Sequence, residues 1–203
     1  MDKKSHWEDI YQRKGADKVS WHQEQPGLSL RMIADAGLER GAAIIDVGGG
    51  ASRLIDSLIA QGYTNLTVLD ISGRALEAAK ERLGPLSQRV QWVESDIADF
   101  KPRQKFKFWH DRAVFHFLTD PQDRDRYLET MRRSLDAGSY AMIAAFAPDG
   151  PEKCSGLPVQ RYSHESLQLA LGPSYKELAH HSETHVTPAG GQQKFVYALF
   201  RKM

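Results

Sequence analysis

The chain holds one cysteine, Cys154, among its 203 residues. A lone thiol closes no internal disulfide and builds no zinc site by itself. A reducing compartment, the cytoplasm, is therefore the expected location. Charge of one sign is also lacking, with 27 Lys plus Arg set against 26 Asp plus Glu and a net charge of +1. Such a balance makes no field to gather nucleic acid or an anionic membrane, so neither is an expected partner. No window approaches the roughly 18 apolar residues of a membrane span. The opening MDKKSHWEDIYQRK has no apolar core of signal-peptide length. No His/Cys/Asp cluster with metal-ligand spacing is visible along the chain, and no metal is expected.

What remains is ordinary globular material, 41% apolar and 26% charged, enough for one core and one domain over residues 1–203. There is no repeat and no linker. Short β-rich runs alternate with amphipathic stretches, which favours a mostly parallel sheet covered by helices on both faces. Strands are predicted at 43–47, 66–69, 90–94, 106–110 and 140–146. Ser5 with Glu8 reads as a capping box opening a helix to about Arg13. Further helices are predicted from Pro26, from about Ala51, after Ser72 as N-cap, from Pro121 and over 163–171. The tail differs. Runs at 175–186 and 193–200 are joined by Thr187-Pro-Ala-Gly-Gly-Gln192, too short for a parallel crossover, so they form an antiparallel hairpin.

Asp46-Val-Gly-Gly-Gly-Ala-Ser52 stands where the first strand gives way to a helix. Glycines there let the backbone turn sharply and approach a ligand. Asp70 ends the second strand, where a carboxylate can accept both hydroxyls of a ribose. Asp96 follows the third, where an acceptor can hold an adenine amino group. The dinucleotide pattern G-x-G-x-x-G starting at Gly48 would need glycine at 53, which is Arg53. Asp46 ahead of the glycines would repel a pyrophosphate, and it suits the ammonium and sulfonium end of S-adenosylmethionine (SAM). A small NAD(P)-dependent oxidoreductase is thereby disfavoured.

Ile45-Asp-Val-Gly-Gly-Gly-Ala-Ser52, Val68-Leu-Asp-Ile-Ser72, Glu94-Ser-Asp-Ile97 and Trp109-His-Asp-Arg-Ala113 resemble the successive motifs of class I SAM-dependent methyltransferases, in order and spacing, over about residues 42–146. Only the second glycine, at a position variable in that family, departs. The resemblance implies a Rossmann-like, seven-stranded, mostly parallel sheet with a terminal antiparallel hairpin. It implies SAM as cofactor, leaving S-adenosylhomocysteine, held by Trp21, Asp46, Gly48, Gly49, Gly50, Ser52, Asp70, Ile71, Asp96, Ile97, Asp111, Arg112 and Ala113. His6-Trp-Glu-Asp-Ile-Tyr11 with Val19-Ser-Trp-His-Gln23 looks like the opening of a subgroup that includes citrate synthase-type lysine methyltransferases.

Residues 1–36 then form an N-terminal lid, 42–146 the SAM-binding core and 147–203 a substrate loop and hairpin. Trp7, Tyr11 and Trp21 could close over a sulfonium through their ring faces, or simply pack. His116 is the candidate general base, or else a packed histidine. Cys154 sits in a natural substrate loop, and Arg161, Tyr162, Thr187 and Gln193 are candidates for an acceptor pocket. His180 and His181, adjacent on a strand, point to opposite faces, and with His185 they read as solvated. The acceptor, a small molecule or a protein side chain such as lysine, is left open, as are the oligomeric state and a SAM-binding protein without turnover. No Asn/Asp-Pro-Pro-Tyr/Phe motif for an extruded base is present.

Overall fold

The computed structural model describes residues 2–203. In chain order the elements are α1 (Lys3–Lys14), α2 (Gly27–Asp35), β1 (Ile44–Val47), α3 (Leu54–Ala60), β2 (Leu66–Asp70), α4 (Gly73–Leu83) and β3 (Val90–Glu94). There follow β4 (Phe106–Arg112), α5 (Pro121–Ser134), β5 (Leu135–Phe146), the two-residue strands β6 (Lys153–Cys154) and β7 (Leu157–Pro158), α6 (His164–Leu171), β8 (Tyr175–Val186) and β9 (Gln192–Lys202).

Seven strands form one sheet in the order β3-β2-β1-β4-β5-β9-β8. β1 to β5 run parallel, and β9 enters antiparallel between β5 and β8. This is the Rossmann-like sheet with the terminal hairpin that the sequence implies. Alternation along the strands divides the core in two. Ile45, Trp109 and Ile143 face Tyr127, Leu128 and Met131 of α5 and Leu167 and Leu171 of α6. Ile44, Phe108 and Met142 face Met32, Leu58 and Leu76 from α2, α3 and α4. The predicted elements are recovered, with β5 starting earlier than expected, at Leu135. Ser72 caps α4, its hydroxyl accepting from the Ala75 N–H. The cap of α1 is a correction: Asp2, not Ser5, supplies the oxygen, and it accepts from Ser5 N–H at 2.9 Å.

α1 has no buried residue. It lies across the carboxyl ends of the strands, and polar contacts hold it there. Lys3 pairs with Asp123 and Lys4 with Glu94. Glu8 accepts from the Gly73 N–H at 2.7 Å and pairs with Arg74. No described helix is long and apolar enough to cross a membrane.

Candidate functional site

The carboxyl ends of β1, β2, β3 and β4, roofed by α1, enclose a cavity of about 150 Å³. Val47 and Gly48, Leu69 to Ile71, Ser95 to Ile97 and Arg112 to Val114 form its floor. Trp7, Tyr11, Trp21, Phe117, Leu118, Cys154 and Leu157 form its upper walls. A parallel sheet places ligands at this end.

The glycine turn shapes one wall. Gly50 adopts φ +40°, and a side chain there would meet Asp70 Oδ2 at 2.7 Å and the Tyr11 hydroxyl at 3.0 Å. At Gly49 an added carbon would meet Asp46 Oδ2 at 2.5 Å. Any larger residue would fill the space between the turn and its acids.

Asp70 is buried, with Oδ1 accepting the Ser72 N–H at 2.8 Å. Burial above all, aided by the nearby Asp46 and Glu8 charges, pushes its carboxyl up to about 7. Asp96 stands opposite, half-buried, its Oδ1 accepting from Ala98 N–H at 2.9 Å.

Behind the turn lies a smaller cavity of about 40 Å³, bordered by Trp21, Ser29, Asp46, Gly49, Ser52, His110 and Arg112. Asp46 Oδ1 is 2.6 Å from His110 Nδ1, whose Nε2 is 2.9 Å from the Ser29 hydroxyl. Asp46 Oδ2 is buried without a partner among the described residues. Arg112 donates to the Tyr197 hydroxyl at 2.7 Å and the Trp21 carbonyl at 2.9 Å. Among the described residues its Nη2 is likewise buried without a hydrogen bond, Glu183 lying 3.8 Å away. One orphan acid oxygen and one orphan guanidinium N–H on one cavity complement a zwitterion. An amino-acid end fits there and a pyrophosphate does not, so the residues present fit SAM.

Of the residues expected at the cofactor, Trp21, Asp46, Gly48, Gly49, Ser52, Asp70, Ile71, Asp96, Ile97, Arg112 and Ala113 border one cavity or both. Gly50 abuts Asp70 beside them. Asp111 is placed differently. It is fully buried and borders neither cavity. Its oxygens accept the Val114 and Phe115 N–H groups and the Tyr127 hydroxyl, the last at 2.6 Å. Those bonds hold the chain just after Ala113, whose φ of 73° is unusual for a residue with a Cβ. Asp111 therefore positions the turn that carries Arg112 and Val114 into the cleft.

His116 is also fully buried and borders neither cavity. Its ring packs among Phe117, Phe146 and Phe195. Burial, with Arg112 nearby, pushes its pKa down to about 3. The structure thus puts the candidate base in the core, as the packed histidine.

Trp7 and Tyr11 stand over the cleft. The Trp7 ring lies 5.0 Å from Phe117 and 5.6 Å from Trp21, both edge-to-face. Cys154 borders the cavity, and burial raises its thiol above the usual range. Arg161, Tyr162, Thr187 and Gln193 do not border it. His185, expected to be solvated, is buried and reaches the Ser20 carbonyl at 2.8 Å. Sequence reasoning missed His110, Tyr197 and Glu183, which meet Asp46 and Arg112 only through strand pairing.

A family model described as a methyltransferase domain matches residues 44–138. EEF1A lysine methyltransferase 2 of Danio rerio is 22% identical over 159 residues, 70% of this chain and 67% of that protein. A 79-residue segment is 39% identical to ribosomal RNA small subunit methyltransferase H of a Cyanothece species, covering 37% of this chain but only 26% of that protein. A structure solved for the conversion of a disulfide bond into a thioacetal group during echinomycin biosynthesis superposes with a TM-score of 0.80. It covers 99% of this chain and 93% of that one, at 15% identity. N-methyltransferase NodS of Bradyrhizobium japonicum, solved with S-adenosyl-L-homocysteine, gives 0.69 at 16% identity, over 96% and 97% of the two chains. These superpositions show the fold.

Sheet order, glycine turn and strand-end acids define a Rossmann-like fold with a ligand cleft at the carboxyl ends of its parallel strands. The matched methyltransferase-domain model spans the glycine turn and the strand-end acids, and across that core the chain is similar to class I SAM-dependent methyltransferases.

Proposed function

We propose that this chain methylates a small acceptor at a nitrogen or sulfur atom that arrives with its lone pair free. SAM, when bound, supplies a methyl group on a positively charged sulfur, a leaving group that needs no proton. Asp70 would accept the ribose hydroxyls and Asp96 the adenine amino group. Asp46 and Arg112 would take the ammonium and carboxylate ends. The observation that carries the reading is the roofed, apolar mouth of the cleft. Trp7, Trp21, Phe117, Leu118 and Leu157 wall it, and α1 closes it from above. Such a mouth excludes water and aligns a compact acceptor, which is most of what a displacement at a methyl group needs. Aromatic rings beside the cleft also favour positive charge. His116 is too deeply packed and too weakly basic to deprotonate an acceptor.

A second reading, methylation of a protein lysine, is supported by the likeness to EEF1A lysine methyltransferase 2 across 70% of this chain. Cell lysate incubated with the protein and methyl-labelled SAM, then fractionated by size, separates the two. Label in a small-molecule product distinct from SAM supports the proposal. Label confined to protein bands would replace it with the lysine reading. Tight SAM binding without transfer would leave a SAM-binding protein without turnover.

A further inference from the structure

His164, Glu177 and His180 lie where α6 meets the edge strand β8, and none borders the cofactor cavities. On a regular strand, residues three apart face opposite sides of the sheet. In β8 the register slips between Glu177 and Ala179, with Leu178 as the extra residue. This bulge brings Glu177 and His180 onto one side. His164, the first residue of α6, reaches the same point. Its Nδ1 is 3.2 Å from Glu177 Oε1, and the Nδ1 of His180 is 2.7 Å from that same oxygen. The two imidazoles stack with centroids 3.5 Å apart and planes 12° apart.

One ligand atom from each residue lies within 4.8 Å of the others. Zinc–nitrogen bonds of about 2.0–2.1 Å place neighbouring tetrahedral ligands roughly 3.3 Å apart, so small rotations would gather these atoms around one ion. The outer nitrogen of His164, Nε2, is 2.9 Å from Glu165. A carboxylate on the far nitrogen is how metal-bound imidazoles are commonly oriented. Glu177 is steadied in turn, its backbone N–H donating to Gln168 Oε1 at 2.9 Å.

We propose that His164, Glu177 and His180 form a surface site for a divalent zinc-like ion, which fastens α6 to the terminal hairpin. Two imidazoles and one carboxylate suit zinc better than magnesium or calcium, and a water completes the shell. The site is separate from methyl transfer and independent of the acceptor. It was invisible in the sequence because one ligand comes from a helix and the others depend on a bulge.

The test uses the full untagged chain, stripped with EDTA, with zinc chloride alone as the probe. Calorimetry should find one ion per chain, and the melting temperature should rise with zinc but not with magnesium. His180→Ala and Glu177→Gln should each weaken binding by at least about tenfold, and Glu165→Gln by about tenfold. The first two should also lose the thermal shift while melting near the wild type in EDTA. No heat and no shift with zinc would overturn the proposal. Undiminished zinc binding by a His164→Ala/His180→Ala double variant would also overturn it, since the ion would then sit elsewhere.

Discussion

The carboxyl ends of β2 and β4 each bury an aspartate at the same end of the sheet, and the two are used in opposite ways. Burial raises both carboxyls, Asp70 to about 7 and Asp111 to about 6. Around Asp111, the Val114 and Phe115 N–H groups and the Tyr127 hydroxyl occupy both oxygens. Around Asp70 the Ser72 N–H donates to Oδ1, while Oδ2 stands beside Gly50 and the cleft. The number of donors separates a carboxylate that holds the fold from one with an oxygen left toward the cleft.

The contrast predicts different losses. Asp111→Ala strands three donors and releases the Ala113 turn, so denaturant unfolding should show a loss of about 3 kcal/mol or more. An Asp111→Ala protein as stable as the wild type would break the comparison. Asp70→Ala should leave stability nearly unchanged or improve it, since a buried, under-satisfied acid is removed. SAM affinity should then fall about 100-fold, as expected for two hydrogen bonds to a charged group at about 1.5 kcal/mol each.

The pH dependence sharpens the difference. Unfolded aspartate titrates near 3.9, below both folded values, so the native state keeps protons that the unfolded state has lost. Without ligand, stability should therefore fall as pH rises from about 4, the Asp111 share ending near 6 and the Asp70 share near 7. Asp70→Asn should flatten the stretch between those two values in a melting-temperature profile. In the proposed complex, ribose hydroxyls donate to the ionised carboxylate, so SAM affinity should weaken below about pH 7 in the wild type only. Trp7→Ala should have the smallest effect, about fivefold on SAM affinity from a lost aromatic neighbour worth about 1 kcal/mol. An unchanged dissociation rate in that variant would mean that α1 does not retain the cofactor.

Much of the cleft was legible because its signals are local. The glycine turn, the strand-end acids and the Ser72 cap each lie within a few residues of the backbone they shape. The tail hairpin was legible because its loop is too short for a crossover. What the sequence hid depends on register and packing. His110 reaches Asp46 across the β1–β4 pairing, and Arg112 reaches Tyr197 and Glu183 from the far end of the chain. His116 looked available because Phe146 and Phe195, distant in sequence, are what enclose it. The β8 bulge altered which histidines share a face, and no hydrophobic alternation announces a bulge on so polar a strand.

Calorimetric titration with S-adenosylhomocysteine, run on the wild type and on Asp70→Ala with NAD as the control ligand, tests the centre of the account. One adenosyl ligand per chain, sharply weakened by the substitution and with no heat from NAD, is the predicted result. Equal affinity in the two proteins, or none in either, would contradict it.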